Sequence, residues 1–300
     1  MIKKYILQVN SKNYTLGQRT WIMGVINVTP DSFSDEGLYL DREKAVERGL
    51  ELAEEGSDII DIGGESTRPG SEPIPLDEEL RRVIPVISEL RERIDTLISI
   101  DTTKSKVANA ALDAGADIIN DISSFQSDPN MFPLAAQKGA PIILMHIKGI
   151  PKTMQANPYY ENVLVEVKSF LEERFTTAIA SGIKKEKIII DPGIGFGKRL
   201  QDNLALINNL QILEDLDRPI LIGVSRKSFI GKILNTSPQE RLEGTIASAV
   251  LSIVHGANIL RVHDVASVKR AVLVAEAILN EDQSVGSLEE SKEKKRTYVC

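Results

Sequence analysis

Cysteine is almost missing from this chain of 300 residues, which has only Cys300. A single cysteine excludes a disulfide framework and a metal cluster built from thiolates. No apolar run approaches the roughly 18 residues that a membrane-spanning helix needs. The apolar run near the N-terminus, YIL, is too short for the core of a signal peptide. We therefore expect a soluble cytoplasmic protein that does not bind membranes.

An excess of positive charge is also missing. The chain has 36 Lys and Arg against 43 Asp and Glu, which gives a formal net charge of −7. This balance argues against nucleic acid as a partner, because binding to a phosphate backbone requires basic excess. It leaves room for a local anion site made by a few cationic side chains.

Eight short runs of Ile, Val and Leu have the composition of buried strands. They are WIMGVIN, DIIDIGGES, LISIDTT, DIINDIS, PIILMHIKG, KIIIDPGIGFG, PILIGVSRKS and NILRVHD. Each run places polar residues at or just past its C-terminal end: Asn27, Asp61, Asp101, Asn120, His146, Asp191, Lys227, and Arg261 with His263. A strand buried on both faces does not cheaply hold a charge in its middle. The eight ends therefore predict one shared polar site, with a place in the core as an equal alternative for His146.

Helical patterns fill the gaps between these runs. We expect helices over residues 42–55, 77–93 (opened by Asp77), 104–114, 130–138, 160–181, 201–216, 238–255 and 265–280. Strict alternation of strand and helix predicts parallel strands joined by right-handed crossovers. The fold class is therefore α/β, and the favoured architecture is a (β/α)8 TIM barrel, in which all C-terminal strand ends meet at one rim. An open doubly wound sheet is the rival architecture.

The organisation along the chain is that of one domain over residues 1–281. Its first 20 residues contain a predicted β-hairpin that covers the bottom of the barrel, and residues 282–300 are a polar tail that we expect to be flexible. The segments 28–41 and 63–76 are long for loops between a strand and a helix, and both are rich in Gly, Pro and Ser. Such rim loops act as lids or complete a site.

Carboxylates and an amide around a barrel mouth suit a ligand edge rich in N–H donors. The 2-amino-pyrimidinone edge of a pterin or a guanine has adjacent N–H and NH₂ groups that one aspartate accepts in bidentate fashion. Lys227 can donate to a carbonyl of the same ring. Three aspartates could instead form a metal cage, but Lys227 opposes a cation there. A loosely held Mg²⁺ at Asn27 fits better, because Mg²⁺ keeps its waters and takes one or two protein oxygens beside phosphates.

The last strand supplies a candidate anion site. Arg261 and His263 alternate and so face the same side of the strand, where the guanidinium offers a fork for phosphate and the imidazole adds a donor. The glycines of DPGIGFGK predict close backbone approach and a tight turn rather than a dinucleotide fingerprint. Residues such as Phe196 and Met145 most often fill a core, but here either could stack on a planar ligand.

Eight segments together carry a resemblance. They are MGVINVTPDSFSD, DIGGESTRPG, SIDTTKS, INDIS, LMHIKG, IIDPGIGFGK, GVSRKSFIG and RVHDV. In this order they resemble the dihydropteroate synthases of folate biosynthesis, a family of pterin-binding TIM-barrel transferases. The presence of both ESTRPG and SRKSFIG is specific, because related pterin-binding barrels such as the corrinoid-dependent methyltransferases are not expected to carry both.

The resemblance implies a reaction and a set of roles. The enzyme would condense 6-hydroxymethyl-7,8-dihydropterin diphosphate with 4-aminobenzoate, give 7,8-dihydropteroate and pyrophosphate, use Mg²⁺ and form a homodimer. The implied pterin-binding residues are Asp101, Asn120, Ile122, Met145, Asp191 and Lys227. The implied diphosphate-binding residues are Asn27, which would also hold Mg²⁺, Arg261 and His263. The implied aminobenzoate-binding residues are Phe33, Thr67, Pro69, Phe196 and Ser228. The implied catalytic residues are Asp101, Lys227, Asp35 and Arg68, with Asp61 in support.

The chemistry of these groups points to dissociative substitution at the pterin methylene. An aromatic amine is a weak nucleophile, so departure of pyrophosphate must lead, and Asp101 and Asp35 would stabilise the cation that forms. The alternatives are a pterin-dependent methyltransferase, a non-catalytic pterin-binding paralogue and a scaffold barrel. The ESTRPG and SRKSFIG segments argue against the first. The second is opposed by the presence of Asn27, Asp35, Arg68 and Lys227. A scaffold needs no set of polar strand ends.

Overall fold

The computed structural model describes residues 3–28 and 37–281, with side chains omitted for 37–41. Phe33, Asp35 and the tail 282–300 lie outside the described residues. The chain starts with a two-stranded antiparallel hairpin of β1 (Tyr5–Val9) and β2 (Lys12–Leu16). The predicted N-terminal hairpin is therefore confirmed.

A parallel sheet of eight strands forms the centre of the described part of the chain. Its strands are β3 (Trp21–Asn27), β4 (Ile59–Gly63), β5 (Leu97–Asp101), β6 (Ile118–Asp121), β7 (Ile142–Met145), β8 (Ile188–Asp191), β9 (Leu221–Ile222) and β10 (Ile259–Val262). Consecutive strands pair from β3 to β8, and β10 pairs with both β3 and β9. A parallel bridge between Ile190 and Ile220 joins β8 to the start of β9 and closes the ring. The closed barrel is confirmed, and the open doubly wound sheet is wrong.

Helices follow the barrel strands. Within the described residues they are α1 (Gly37–Glu54), α2 (Leu76–Arg93), α3 (Ser105–Asp113), α4 (Met131–Lys138), α5 (Val163–Ala180), α6 (Leu200–Asn208), α7 (Ser228–Leu234), α8 (Leu242–Val254) and α9 (Val265–Leu279). In this part of the chain no helix is both long and apolar enough to cross a bilayer.

Some predicted helix bounds were wrong for local reasons. The expected helix 201–216 is interrupted at Asn209, whose side chain donates to the carbonyl of Ala205 at 2.8 Å, and residues 210–216 continue as a 3₁₀ helix. The helix expected over residues 238–255 is α8, which begins only at Leu242 because residues 238–240 form a separate 3₁₀ turn. Pro75 precedes α2, so Asp77 lies in its first turn and does not open it. The short helix α7 was not predicted.

Alternation along the strands sorts the barrel side chains into two sets. Ile60, Ile98 and Leu144 belong to the large core between strands and helices. Their neighbours in sequence point inward, because successive strand residues face opposite sides. A second core consists of inward residues at the N-terminal ends of the strands and residues of the hairpin: Leu7, Val9, Leu16, Met23, Ile59, Leu97, Ile118, Ile143, Ile189, Leu221 and Ile259. The hairpin therefore covers the bottom of the barrel, as predicted.

The polar residues continue the inward set toward the other end of the barrel. Asp61 lies two residues beyond Ile59, and Arg261 lies two beyond Ile259. The strand register places Asp101 directly beside Asn120, and Asp191 beside Met145. Apolar side chains thus fill the lower barrel, and charged side chains gather above them at the C-terminal mouth.

Candidate functional site

A partly buried guanidinium between two buried aspartates is the centre of the site. Arg261 donates from Nε to Asp61 Oδ2 at 2.6 Å and from one Nη to Asp101 Oδ2 at 2.8 Å. Asp61 is fully buried and Asp101 nearly so. Three strands far apart in sequence, β4, β5 and β10, supply these groups. The convergence of polar strand ends predicted from the sequence therefore occurs at these positions.

The electrostatics of this cluster follow from its burial. Burial raises the pKa of Asp101 to about 7; the Arg261 charge opposes the rise and the Asp61 carboxylate adds to it. For Arg261, burial lowers the pKa, but the carboxylates of Asp61 and Asp101 outweigh it and raise the pKa above its usual value. Arg261 therefore stays cationic. With one cation and two acids, the cluster has a net negative charge once Asp101 ionises.

Asn120 is oriented by the same cluster. Its Nδ2 lies 3.2 Å from Asp61 Oδ2, and an ionised carboxylate can only accept, so the amide nitrogen must face Asp61. The amide oxygen of Asn120 is then directed away from Asp61 and can accept an N–H from a ligand. Asp61 thereby supports two neighbours at once, Arg261 and Asn120.

Asp191 and Lys227 form the opposite wall of the mouth. Asp191 Oδ1 accepts from the backbone N of Gly193 at 2.6 Å. Lys227 Nζ donates to the carbonyl of Ile194 and lies 4.6 Å from the centre of the Phe196 ring. Burial lowers the pKa of Lys227 to about 8, with the Asp191 charge opposing the fall, and burial raises the pKa of Asp191. This wall therefore has a hydrogen-bond acceptor, the Asp191 carboxylate, and a donor, the Lys227 ammonium, which lies over the ring of Phe196.

The glycine-rich segment after β8 packs directly on the segment after β7. A Cβ on Gly193 would overlap the carbonyl oxygen of His146, and a Cβ on Gly197 would overlap that of Lys148. Both glycines have positive φ, 67° and 65°. The predicted close backbone approach is therefore confirmed, and it fixes the position of Phe196 beside Lys227.

His146 does not belong to the site. Met145 points inward, so its neighbour His146 points outward, where its ring packs against Phe170 of α5 at 4.9 Å between centroids. Burial lowers the pKa of His146 to about 2, and the nearby Lys198 charge lowers it further. The prediction that all eight strand ends share the site is wrong at this position, because alternation along β7 turns its last polar residue away.

Sequence reasoning missed Lys198. It is almost fully buried, with Nζ 2.9 Å from His146 Nδ1 and 3.2 Å from the carbonyl of Phe196. Burial lowers its pKa well below the ordinary value. The available signal was a lysine directly after the FG pair, in a segment whose glycines already predicted tight packing. Lys198 braces the turn that carries Phe196.

His263, which is expected to bind the diphosphate together with Arg261, lies two residues beyond it, at the rim. His263 Nδ1 is 3.0 Å from Ser225 Oγ, and burial lowers the pKa of His263 to about 4. Arg226 pairs with Asp264, with Nε donating to Oδ2 at 2.9 Å. The remaining Nη of Arg261 makes no hydrogen bond within residues 3–28 and 37–281. It is the part of the guanidinium that can still bind a phosphate oxygen.

The outer ring contains the remaining expected residues. Ile122 and Met145 are buried, Thr67 is half-buried, and Arg68, Pro69, Ser228 and Asn27 are exposed. Within the described part of the chain, no group of three or more His, Cys, Asp or Glu side chains is arranged to hold a metal ion. Asn27 offers one amide oxygen at the rim. That donor set fits a Mg²⁺ ion whose other ligands are water and ligand phosphate.

Comparison with known proteins agrees with this geometry. The family model described as "Pterin binding enzyme" matches residues 23–263. The dihydropteroate synthase of Synechocystis sp. is 46% identical over 273 residues, which cover 91% of this chain and 94% of that protein. The Escherichia coli dihydropteroate synthase is 46% identical over 259 residues, which cover 86% and 92%.

Solved structures give the same result. The Xanthomonas albilineans dihydropteroate synthase with 4-aminobenzoic acid has a TM-score of 0.86 and 43% identity, covering 93% of this chain and 99% of that one. The same enzyme in complex with 7,8-dihydropteroate has a TM-score of 0.82 and 41% identity, covering 92% and 99%. The chain described here belongs to the dihydropteroate synthase family of pterin-binding enzymes.

Proposed function

We propose that the protein condenses 6-hydroxymethyl-7,8-dihydropterin diphosphate with 4-aminobenzoate to give 7,8-dihydropteroate and pyrophosphate. The observation that carries the proposal is the set of buried acceptors and one ammonium at the barrel mouth: Asp61, Asp101, Asn120, Asp191 and Lys227. A pterin edge has adjacent N–H and NH₂ donors and a ring carbonyl, which match this set. The relatives named dihydropteroate synthase support it.

The pterin ring would lie between the two walls of the mouth. Asp191 accepts from the N–H and NH₂ edge, and Lys227 donates to the carbonyl. Asn120 accepts through its free amide oxygen, and Asp101 lies on the side of Arg261. Ile122 and Met145 supply apolar contact to the ring faces.

The diphosphate would lie at the rim. The free Nη of Arg261 and the imidazole of His263 donate to its oxygens, and Asn27 takes part in holding Mg²⁺. Bound there, Mg²⁺ supplies charge neutralisation for the leaving pyrophosphate. The aminobenzoate would lie outside the pterin, among Thr67, Pro69, Phe196 and Ser228, with Phe33 proposed as a further contact.

The substitution is proposed to be dissociative. The bond between the pterin methylene carbon and the bridging oxygen breaks, and its electron pair leaves with pyrophosphate. The amine nitrogen then forms the new C–N bond and loses a proton to solvent. Asp101 stabilises the intermediate cation, and Asp35 and Arg68 are proposed to complete the site from the two long loops. Exclusion of water by these loops prevents capture of the cation.

A pyrophosphate-release assay tests the proposed function. Release should depend on added 4-aminobenzoate, and an oxygen label in the bridging position should leave with the pyrophosphate. No release with both substrates present would leave a non-catalytic pterin-binding protein. Dependence on a corrinoid partner in place of 4-aminobenzoate would indicate a methyltransferase. Label retained on the pterin would overturn the dissociative step.

The pH dependence of kcat/KM should have two limbs. Since the pKa of Asp101 is raised to about 7, its carboxylate forms as the pH rises through that value, and the rate should rise with it. Since the pKa of Lys227 is lowered to about 8, its ammonium is lost above that value, and the rate should fall. Rates measured across this range in wild type and Asp101→Asn check the assignment. A rising limb that persists in Asp101→Asn would contradict it.

We also propose that the protein acts as a homodimer in the cytoplasm. The near absence of cysteine supports the compartment. An apolar face on the packed helices α8 and α9 supports the dimer: Leu251, Val254, Leu273, Val274 and Ile278 are each more than half exposed. Monomeric proteins rarely expose such a continuous patch. A second copy of this chain is the proposed partner.

Val274→Asp should break this dimer, because it introduces a charge into the exposed apolar face. Sedimentation velocity should show a monomer where the wild type is a dimer. Val165→Asp is the matched control, since Val165 is similarly exposed but lies on α5, and it should sediment like the wild type. A wild-type monomer, or a Val274→Asp dimer, would contradict the assignment of this face.

A further inference from the structure

A single carboxylate closes the neck of the long loop between β4 and α2. Glu65 lies at the start of this loop, and its Oε2 accepts from the backbone N of Ile74 at 3.0 Å. The two ends of the segment 65–74 are thereby tied together. This segment carries Thr67, Arg68 and Pro69.

The same carboxylate is held from the barrel side by a lysine. Lys104 Nζ lies 2.6 Å from Glu65 Oε2 and 2.6 Å from Glu79 Oε2. Glu79 is fully buried, and its other oxygen accepts from Thr102 Oγ1 at 2.6 Å. We name this group of three residues the neck clamp: Glu65, Glu79 and Lys104. Thr102 directly follows Asp101, so the clamp connects the centre of the mouth to the loop.

The loop tip is held much more weakly than the neck. At the tip, Gly70 N donates to the carbonyl of Pro151 at 3.0 Å, and Glu72 pairs with Lys152 at 2.7 Å. Both charged partners are more than half exposed, and an exposed ion pair of this kind contributes little. The neck clamp is partly to fully buried and is less screened by solvent. The neck clamp is therefore the firmer of these two attachments. Inside the loop, Ser71 Oγ donates to the carbonyl of Ser66 at 2.6 Å, so the segment beyond the neck is held to the neck.

We propose that the neck clamp positions the aminobenzoate half of the site. Glu65 and Lys104 are positioning residues: they act through the loop that carries Thr67, Arg68 and Pro69, and they do not touch either substrate. This inference rests on the proposed function. It has two consequences. Loss of the clamp weakens binding of 4-aminobenzoate while the pterin walls stay intact, and it admits water to the pterin cation.

Glu65→Gln is the main test variant, because it removes the charge that pairs with Lys104 and leaves Lys104 and Glu79 paired. We expect the KM for 4-aminobenzoate to rise about tenfold, a typical cost of misplaced binding groups. The KM for the pterin diphosphate should change by less than about twofold, as its contacts are unaltered. More pyrophosphate should be released per dihydropteroate formed than in the wild type. Hydrogen exchange of amides 66–74 should be faster.

Three further variants complete the test. Lys104→Arg keeps the positive charge, so both KM values and the product ratio should stay near those of the wild type. Glu72→Gln makes the same chemical change at the tip of the same loop, where the ion pair is exposed, and should leave both KM values and the product ratio unchanged. Lys104→Met should reproduce the effects of Glu65→Gln. If Lys104→Met does not fold, the result for Glu65→Gln alone decides between the outcomes.

The outcomes separate the inference from the proposed function. A wild-type protein that makes no dihydropteroate overturns both. A wild-type protein that is active, together with Glu65→Gln of unchanged 4-aminobenzoate KM and product ratio, overturns the inference alone. Equal increases in both KM values with unchanged exchange of amides 66–74 also overturn it, because the loop is then not loosened and the effect is not confined to 4-aminobenzoate.

Discussion

Arg261→Ala should lower the free energy of unfolding by about 3–5 kcal/mol at pH 8, the usual cost of removing one partner from a buried ion pair. Arg261 is the cation between Asp61 and Asp101, at 2.6 Å and 2.8 Å. Without it, two carboxylates remain in a nearly closed barrel with no opposite charge between them. Urea unfolding measured on the wild type and the variant gives the difference.

The loss of stability in Arg261→Ala should depend on pH, and it should be larger at high pH than at low pH. Without the guanidinium, the folded-state pKa of Asp101, which burial already raises, rises further above the unfolded value of about 3.9. The cost of the substitution is then greatest above that folded pKa and shrinks as the pH falls and Asp101 protonates. Arg261→Lys, which keeps a cation, should lose less than Arg261→Ala at pH 8. An equal loss for Arg261→Ala at pH 8 and pH 5 would mean that the two carboxylates do not carry the effect.

Lys227→Met should lower kcat/KM about 10²–10³-fold with little effect on stability. In the proposed role Lys227 is a preorganised donor to the pterin carbonyl, and loss of one such donor has this size of effect. Burial disfavours the charged form of Lys227, which lowers its pKa, so we expect the loss of this charge to cost less stability than the loss of Arg261. Steady-state kinetics and thermal unfolding measure the two effects.

Lys232→Met is the matched control for Lys227→Met. Lys232 lies on the short helix α7, which begins directly after Lys227, and its side chain is exposed. It should leave kcat/KM unchanged. A similar loss in both variants would show that α7 tolerates no such change, and the donor role of Lys227 would then be wrong.

The barrel could be predicted because its signals are local. Runs of branched apolar residues with helical segments between them specify parallel strands and crossovers without knowledge of any distant contact. Alternation then predicted that Arg261 and His263 share a side. The same rule excludes His146 from the site, because Met145 before it faces inward. The prediction placed His146 in the site because it considered only the position of each polar residue at a strand end and not the side of the strand it faces.

Non-local contacts could not be predicted from the chain. Lys104 binds Glu65 and Glu79 from two different elements, and no sequence spacing specifies that meeting. Lys198 is buried only because two turns pack backbone against backbone. The helix α7 has seven residues, fewer than periodicity can resolve. These features depend on how the elements come together in space.

The hairpin β1–β2 has one more consequence. Because Leu7 and Leu16 pack against the N-terminal ends of the strands, that end of the barrel is covered, and the polar groups are approached from the C-terminal mouth. Under the proposed arrangement the pterin lies deeper and the aminobenzoate lies outside it. The pterin diphosphate should then bind before 4-aminobenzoate, because the outer substrate would cover the approach to the inner one.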